Sequence, residues 1–338
     1  PKEMKMPETK SASQLAAEAI AKAKEEDQMK LEAEKRAERL MEEARKRGKD
    51  PMEFALHQQE ILNYMEKNSD ELVSFEDYED LSNLKNSILI LSDCVNLENS
   101  DLANLNVRKA LSLAINRKDL CENVLKDGSM AATGFVPSQL STSPAGRDFR
   151  DDADKYVSYD QKKAQQYLDA AKKELGTDTI TIDLLYGTDE SPMDTMAEYL
   201  QGSFSKLKGL KVNMVATVKK DRIYNREASG NFQIACTRWA PDYADPTTFL
   251  NVLASSNSNN YGKWENAQYN SLLKQAQNET DVNKRWNELL EAEKVMMDDM
   301  PNIPVVQTGT AALQAKNVKG LVHNTVSTPY VFKYVTLK

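Results

Sequence analysis

The sequence predicts an α/β lobe preceded by an α-helical region, and three observations carry that reading. Residues 179–186 (TITIDLLY) and 210–217 (LKVNMVAT) alternate β-branched and apolar residues as strands, with an amphipathic helical stretch between them. A strand–helix–strand crossover of this kind implies parallel pairing in a sheet covered by helices. The charge is also uneven. Residues 1–100 hold 15 basic and 23 acidic side chains and 101–338 hold 29 of each, so the whole net charge of −8 sits in the first hundred residues. At roughly 100 to 200 residues per domain, 338 residues allow two domains or one bilobed body.

The elements follow in order. From Lys22 to Asp50, 19 of 29 residues are charged, with Glu/Lys and Glu/Arg pairs at helical spacing, which predicts a long solvated helix. Gly48 and Pro51 form a stop and a restart, and a second helix follows over about 51–67. An acidic stretch, Asp70 to Asp80, precedes a short buried strand at 86–91 (NSILIL). Asn106 can cap a helix whose Val107, Ala110, Leu111, Ala114 and Ile115 share one face. A short helix through Leu120 and Val124 ends at Gly128, and 129–155 is loop material. Ser158 precedes an amphipathic helix with Ala164, Leu168 and Ala171 on one side, closed by Gly176. Ser191-Pro192-Met193-Asp194 opens the crossover helix with something close to a capping box. A third strand is expected at 231–239, a helix from Asp245-Pro246 through Leu253, two helices over about 266–278 and 282–299, and extended segments over 303–337.

Composition excludes several classes of function. No stretch approaches the ~20 apolar residues of a membrane-spanning helix, and an acidic chain repels phosphate backbones, so neither membrane insertion nor general nucleic-acid binding is expected. Cys94, Cys121 and Cys236 lie far apart and make no CxxC pair, and His57 and His323 are the only histidines, which leaves little for a zinc site or a Ser/His/Asp relay. No GxGxxG, GxxxxGK[ST] or HExxH occurs, so no cofactor is expected. Asp242, Asp245 and a histidine could be imagined as a hydrolytic set, but no nucleophile and base stand together, so no enzyme activity is expected. The residues from Pro1 onward carry no leader pattern, and the compartment is not read from them.

One segment concentrates candidate chemistry: Trp239-Ala240-Pro241-Asp242-Tyr243-Ala244-Asp245-Pro246. It joins a strand to a helix at the carboxyl end of the sheet, where open α/β sheets place ligand crevices. Asp245, directly before a first-turn proline, is most simply a helix cap. Asp242 has no helix to cap. Beside Trp239 and Tyr243 its carboxylate suits a cationic group, and the other reading is that it organises its own turn while Trp239 is core.

Five segments, in order over about 100–338, resemble the solute-binding proteins of oligopeptide and dipeptide ABC transporters, solute-binding family 5: NVRKALSLAINRKDL (106–120), GLKVNMV (209–215), RWAPDYADPTTFLN (238–251), SNNYGKWENAQYNSLLKQA (258–276) and MPNIPVVQ (300–307). The resemblance implies a periplasmic-binding-protein-like (type II) lobe, with a mixed sheet and flanking helices, behind an α-helical N-terminal region. It implies oligopeptide binding for uptake with no covalent chemistry, a peptide ligand, a membrane permease as partner, and an extracytoplasmic location at the periplasm or cell surface, with a lipid anchor compatible with the full precursor. By the same resemblance Asp242 binds the peptide's α-ammonium, Trp239 lines the cleft, and Ala240 and Tyr243 complete the ligand-binding set. Some relatives carry an arginine three residues before the Trp for the peptide carboxylate. This chain has Cys236 there, so a length-measuring site is not expected.

The organisation expected is therefore a charged, unassigned helical region over 1–95, the lobe of a peptide clamp over 100–300, and an extended segment over 301–338 that returns to the first lobe. On that reading Val305, Val306, Val331, Phe332 and Val335 lack their usual sheet partners. A lone lobe buries little of a peptide, so weak affinity is expected unless residues 1–95 supply an opposing wall. The alternative is an interaction protein acting through its N-terminal helical arm, with the α/β part an inert scaffold.

Overall fold

The computed structural model describes residues 78–80, 90–309, 313–324, 326 and 330–337. The chain divides after Val73, and all of these residues belong to the second unit, Ser74–Lys338. The helices expected over Lys22–Asp50 and 51–67 lie outside the described residues, as does most of the acidic stretch. In chain order the strands are β1 (Tyr78–Asp80), β2 (Ile90–Val95), β3 (Met130–Ala131), β4 (Ile180–Gly187), β5 (Leu210–Thr217), β6 (Ile234–Trp239), β7 (Asn302–Gln307), β8 (Leu313–Ala315), β9 (Val318–Lys319), β10 (Val322–His323), β11 (Tyr330–Val331) and β12 (Thr336–Leu337). The longer helices are α1 (Leu105–Ala114), α2 (Gln161–Leu175), α3 (Met193–Phe204), α4 (Ala267–Asn278) and α5 (Val282–Asp299).

Six strands form one mixed sheet in the order β3-β7-β2-β6-β4-β5. The crossover pairs as expected: β4 runs parallel to β5 from Ile180 opposite Leu210 to Gly187 opposite Thr217. β6 joins β4 in parallel through Leu184–Ile234 and Leu185–Ala235. β2 then runs antiparallel to both β6 and β7, and β3 closes the far edge. β1 with β8, β9 with β12, and β10 with β11 form separate two-stranded ribbons.

Two expectations are corrected by this topology. The early strand runs on to Val95, four residues past the expected end at 91, because its register with β6 continues from Ile90 opposite Trp239 to Val95 opposite Ile234; 86–89 lie outside the described residues. The lobe therefore begins before residue 100. Val305 and Val306 do have sheet partners: β7 pairs with β2 and β3, and both valines are fully buried. Pro304 sits where the β2–β7 register shifts between Leu91 and Ser92, a place where a residue without an N–H is tolerated. Val331 and Val335 are half-buried, and Phe332 alone of the five named valines and phenylalanine is exposed.

The helix ends obey capping chemistry, at positions that differ from the sequence expectation. Asn104 rather than Asn106 caps α1, accepting the Asn106 N–H at 2.9 Å, while the Asn106 amide reaches Glu174. Asp160 rather than Ser158 caps α2 by accepting from the Lys163 N–H at 2.8 Å, and Gly176 closes it at φ 67°. Pro192 occupies the cap position of α3 with no side-chain acceptor, so the capping box does not form.

One face of the sheet packs against α1, α2 and α3, burying Val107, Leu111, Leu168, Met196, Leu200 and Phe204 on Ile182, Leu184, Ile234 and Val305. A second core joins α4 and α5 to the 132–157 loop through Phe135, Phe149, Phe249, Tyr269, Trp286 and Leu289. A small cluster of Cys94, Leu185, Phe232 and Ala235 lies on the sheet's other face, as strand alternation requires. The 129–155 segment, expected as loop throughout, contains β3 at its start and a helical turn at Phe149–Asp152, and its irregular remainder is anchored. Glu293 of α5, fully buried, accepts the N–H groups of Phe135 (2.9 Å) and Val136 (2.8 Å) and pairs with Arg150. Gly134 is the residue this requires, since a β-carbon there would lie 1.4 Å from Nη1 of Arg150.

A second buried ionic group ties the carboxyl ends of the three parallel strands. Arg222, just past β5, donates to Glu190 (2.8 and 3.1 Å), to Glu227, and to the Thr237 hydroxyl of β6 (3.1 Å); the three charged side chains are each 1% exposed. Lys219 and Arg238 each approach Glu190 at 3.5 Å. Burial pushes the Glu227 carboxyl up to about 7, with Arg222 pulling the other way and the Glu190 charge adding to the rise.

Two outcomes are expected. Glu293→Ala leaves Arg150 buried and unpaired and should cost about 3 to 5 kcal/mol in denaturant unfolding, more than an ordinary surface change. A carboxylate whose folded value is raised stabilises most below its unfolded value, and that contribution is lost as pH rises toward 7. Between pH 5 and 8 the wild type should therefore lose about 2 to 3 kcal/mol more stability than Glu227→Gln, which keeps an acceptor for Arg222 but has no proton to release.

Candidate functional site

The segment that follows β6 forms a loop at the sheet's carboxyl edge, closed by a helical turn at Thr247–Leu250 and a tighter one at Asn251–Leu253. Trp239, Ala240, Asp242 and Tyr243 all lie on it. Ala240, Asp242 and Tyr243 are exposed, Tyr243 by 45%, and Trp239 is half-buried. The Trp239 indole N–H donates to the Thr248 carbonyl at 2.8 Å, and part of its ring packs on the second core. Its placement is therefore intermediate between core and surface. The Asp242 N–H donates to the Thr248 hydroxyl at 2.9 Å, which fixes the backbone while leaving the side chain outside the turn. Among the described residues none donates a hydrogen bond to the Asp242 carboxylate and none forms an ion pair with it.

Asp245 behaves differently. It accepts the Thr247 N–H at 3.0 Å and the Thr247 hydroxyl at 2.6 Å, but Pro246 holds the cap position of the helical turn, so Asp245 closes a local Asx turn one residue before it rather than capping the helix as expected. It is also gripped by both terminal nitrogens of Arg285, at 2.8 and 2.9 Å. Burial opposes its ionisation, but the hydrogen bonds from Arg285 and Thr247 outweigh burial and hold its carboxyl below the ordinary range. The same bond raises the Arg285 guanidinium, with a smaller contribution from nearby Tyr243. The Thr247 hydroxyl lies 3.3 Å from the Tyr243 hydroxyl, so Arg285, Asp245, Thr247 and Tyr243 form one connected set.

Sequence reasoning missed Thr248 and Arg285. Thr248 was within reach of it, because a hydroxyl residue in the first turn after Asp-Pro commonly serves local backbone groups. Arg285 was not, since it lies on α5, 40 positions from Asp245. Cys236 is fully buried in the first core. A cavity of about 380 Å³ opens at the other end of β6, lined by Asn96, Asp183, Leu185, Arg226 and Phe232 among others, and contains none of the loop residues. Among the described residues no three His, Cys, Asp or Glu side chains converge to hold a metal ion, and no helix is long and apolar enough to cross a membrane.

Comparison with known proteins agrees with this architecture. The family model described as bacterial extracellular solute-binding proteins, family 5 Middle, matches residues 58–261, so the match begins well upstream of the expected boundary. A dipeptide-binding protein of Bacillus subtilis, DppE, is 31% identical over 245 residues, covering 72% of this chain and 43% of the relative. A crystal structure of a peptide-binding protein of a peptide ABC transporter is 37% identical with a TM-score of 0.62, covering 65% of this chain and 99% of that one. The substrate-binding domain of an oligopeptide ABC transporter from Bacillus anthracis is 30% identical with a TM-score of 0.71, covering 82% of this chain and 52% of that one. The chain thus spans less than half the length of the curated relatives it matches. With more than half of its 338 residues inside the family model and the same fold in these structures, the chain belongs to family 5 of the bacterial extracellular solute-binding proteins.

Proposed function

We propose that the chain contributes one wall of a clamp that binds short peptides for uptake by an ABC transporter, without making or breaking a bond. The observation that carries this is the exposed Asp242 carboxylate, unengaged among the described residues and flanked by Trp239 and Tyr243 at the carboxyl edge of the sheet. A carboxylate so placed pairs with the free ammonium of a peptide by a charge-assisted hydrogen bond, while the aromatic walls exclude water and attract the cation. Ala240 prolongs the line of β6 and offers its main chain as a strand partner, a recognition mode that reads backbone and tolerates many side chains. Solute-binding relatives named for dipeptides and oligopeptides support this reading. They give none to a scaffold acting through an N-terminal arm. A permease partner and an extracytoplasmic site of action follow from the family.

In calorimetry a short unmodified peptide should bind the full chain more tightly than its N-acetylated form. Asp242→Asn should lower affinity for the free peptide by about 1.5 to 3 kcal/mol and leave the acetylated peptide little changed. Equal affinity for the two peptides would remove Asp242 from the ammonium role.

A further inference from the structure

The loop carries two carboxylates three positions apart, and the fold treats them oppositely. Asp242 meets no cation among the described residues, whereas Asp245 is held by the two-pronged fork of Arg285. We infer that Arg285 is a specificity-determining residue that cancels the charge of Asp245, so that the loop offers a single negative charge and is set for a guest with one cationic head rather than two. This rests on the proposed ammonium role of Asp242.

The geometry favours cancellation over mere anchoring. Both partners are 29% exposed, so the Asp245 carboxylate lies at the surface of the same turn that carries Asp242 and Tyr243, and without Arg285 it would project its charge there. The Thr247 hydroxyl already bonds Asp245 and touches Tyr243, so the turn has a tether besides the guanidinium. Arg285 itself is firmly placed. It stands in the first turn of α5 with its N–H bonded to the Asp281 carbonyl at 2.9 Å, and the adjacent Trp286 is buried in the second core. A second uncancelled carboxylate on the same loop would attract a dication several-fold more strongly at the dielectric of a protein surface.

The test compares a peptide beginning with Lys against the same peptide beginning with norleucine, which keeps the chain length and lacks the second ammonium, each with free and with acetylated N-terminus. Arg285→Gln should shift the affinity ratio toward the Lys peptide by about three- to tenfold. Arg285→Lys, which keeps the charge and loses the fork, should stay within about twofold of the wild type, as should the double variant Asp245→Asn with Arg285→Gln. If the wild type prefers free over acetylated peptide but Arg285→Gln leaves the ratio unchanged, the inference about Arg285 is wrong and the ammonium reading stands. If the wild type makes no such distinction, or binds neither peptide, the ammonium reading fails. Arg285 is then judged by a readout that needs no peptide: relaxation of the backbone amides of Ala240, Asp242, Tyr243 and Ala244 by a cationic and an anionic nitroxide. A more negative potential in Arg285→Gln, reversed in the double variant, supports charge cancellation; an unchanged potential overturns it.

Discussion

The position of β6 within the sheet is the constraint on which the site depends. Parallel pairing to β4 holds its first two residues on one side, and antiparallel pairing to β2 holds it along its whole length on the other. Its direction then sends the chain out at the carboxyl edge beyond Trp239. A segment placed there has its backbone fixed by the ladder up to the last residue and its side chains free just after it. That combination is what a recognition loop needs: precise placement without burial.

Charge is distributed around that edge according to solvent access. Below it, Arg222 is sealed between Glu190 and Glu227 and linked to Thr237, so the cost of burying charge is met by pairing, and the same group joins the ends of three strands. At the surface, Asp245 and Arg285 pair at intermediate exposure. Asp242 stands outermost. The environments thus run from buried and paired, through half-exposed and paired, to exposed and unengaged among the described residues.

Much of the fold was legible in the sequence because its signals are local. The β4–α3–β5 crossover, the apolar faces of α1 and α2, the Gly176 stop and the boundaries of α5 follow from periodicity and turn chemistry, and the resemblance carried the family. The capping residues were displaced by two positions in α1 and α2, since several Asn, Asp and Ser side chains near each start compete and tertiary packing chooses among them. The early strand was ended too soon, at 91 instead of Val95, because the apolar run drew that limit, whereas partners far along the chain set it. The expectation that Val305 and Val306 lack sheet partners failed for the same reason. Prolines at 301 and 304 read locally as breaks, yet Pro304 falls at a register shift inside the sheet.

The sequence by itself determined which residues form the loop, that Asp245 serves the helical turn beside it while Asp242 has no helix to serve, and that no nucleotide or zinc-protease motif is available, because each of these rests on chemistry within a few positions of the chain. Tertiary structure alone decided which carboxylate remains uncompensated, since the cation that neutralises Asp245 arrives from α5, forty positions away, and the strand that flanks β6 arrives from before residue 100. Electrostatic pairing and strand pairing act through space, and linear spacing carries no record of which distant partner will arrive.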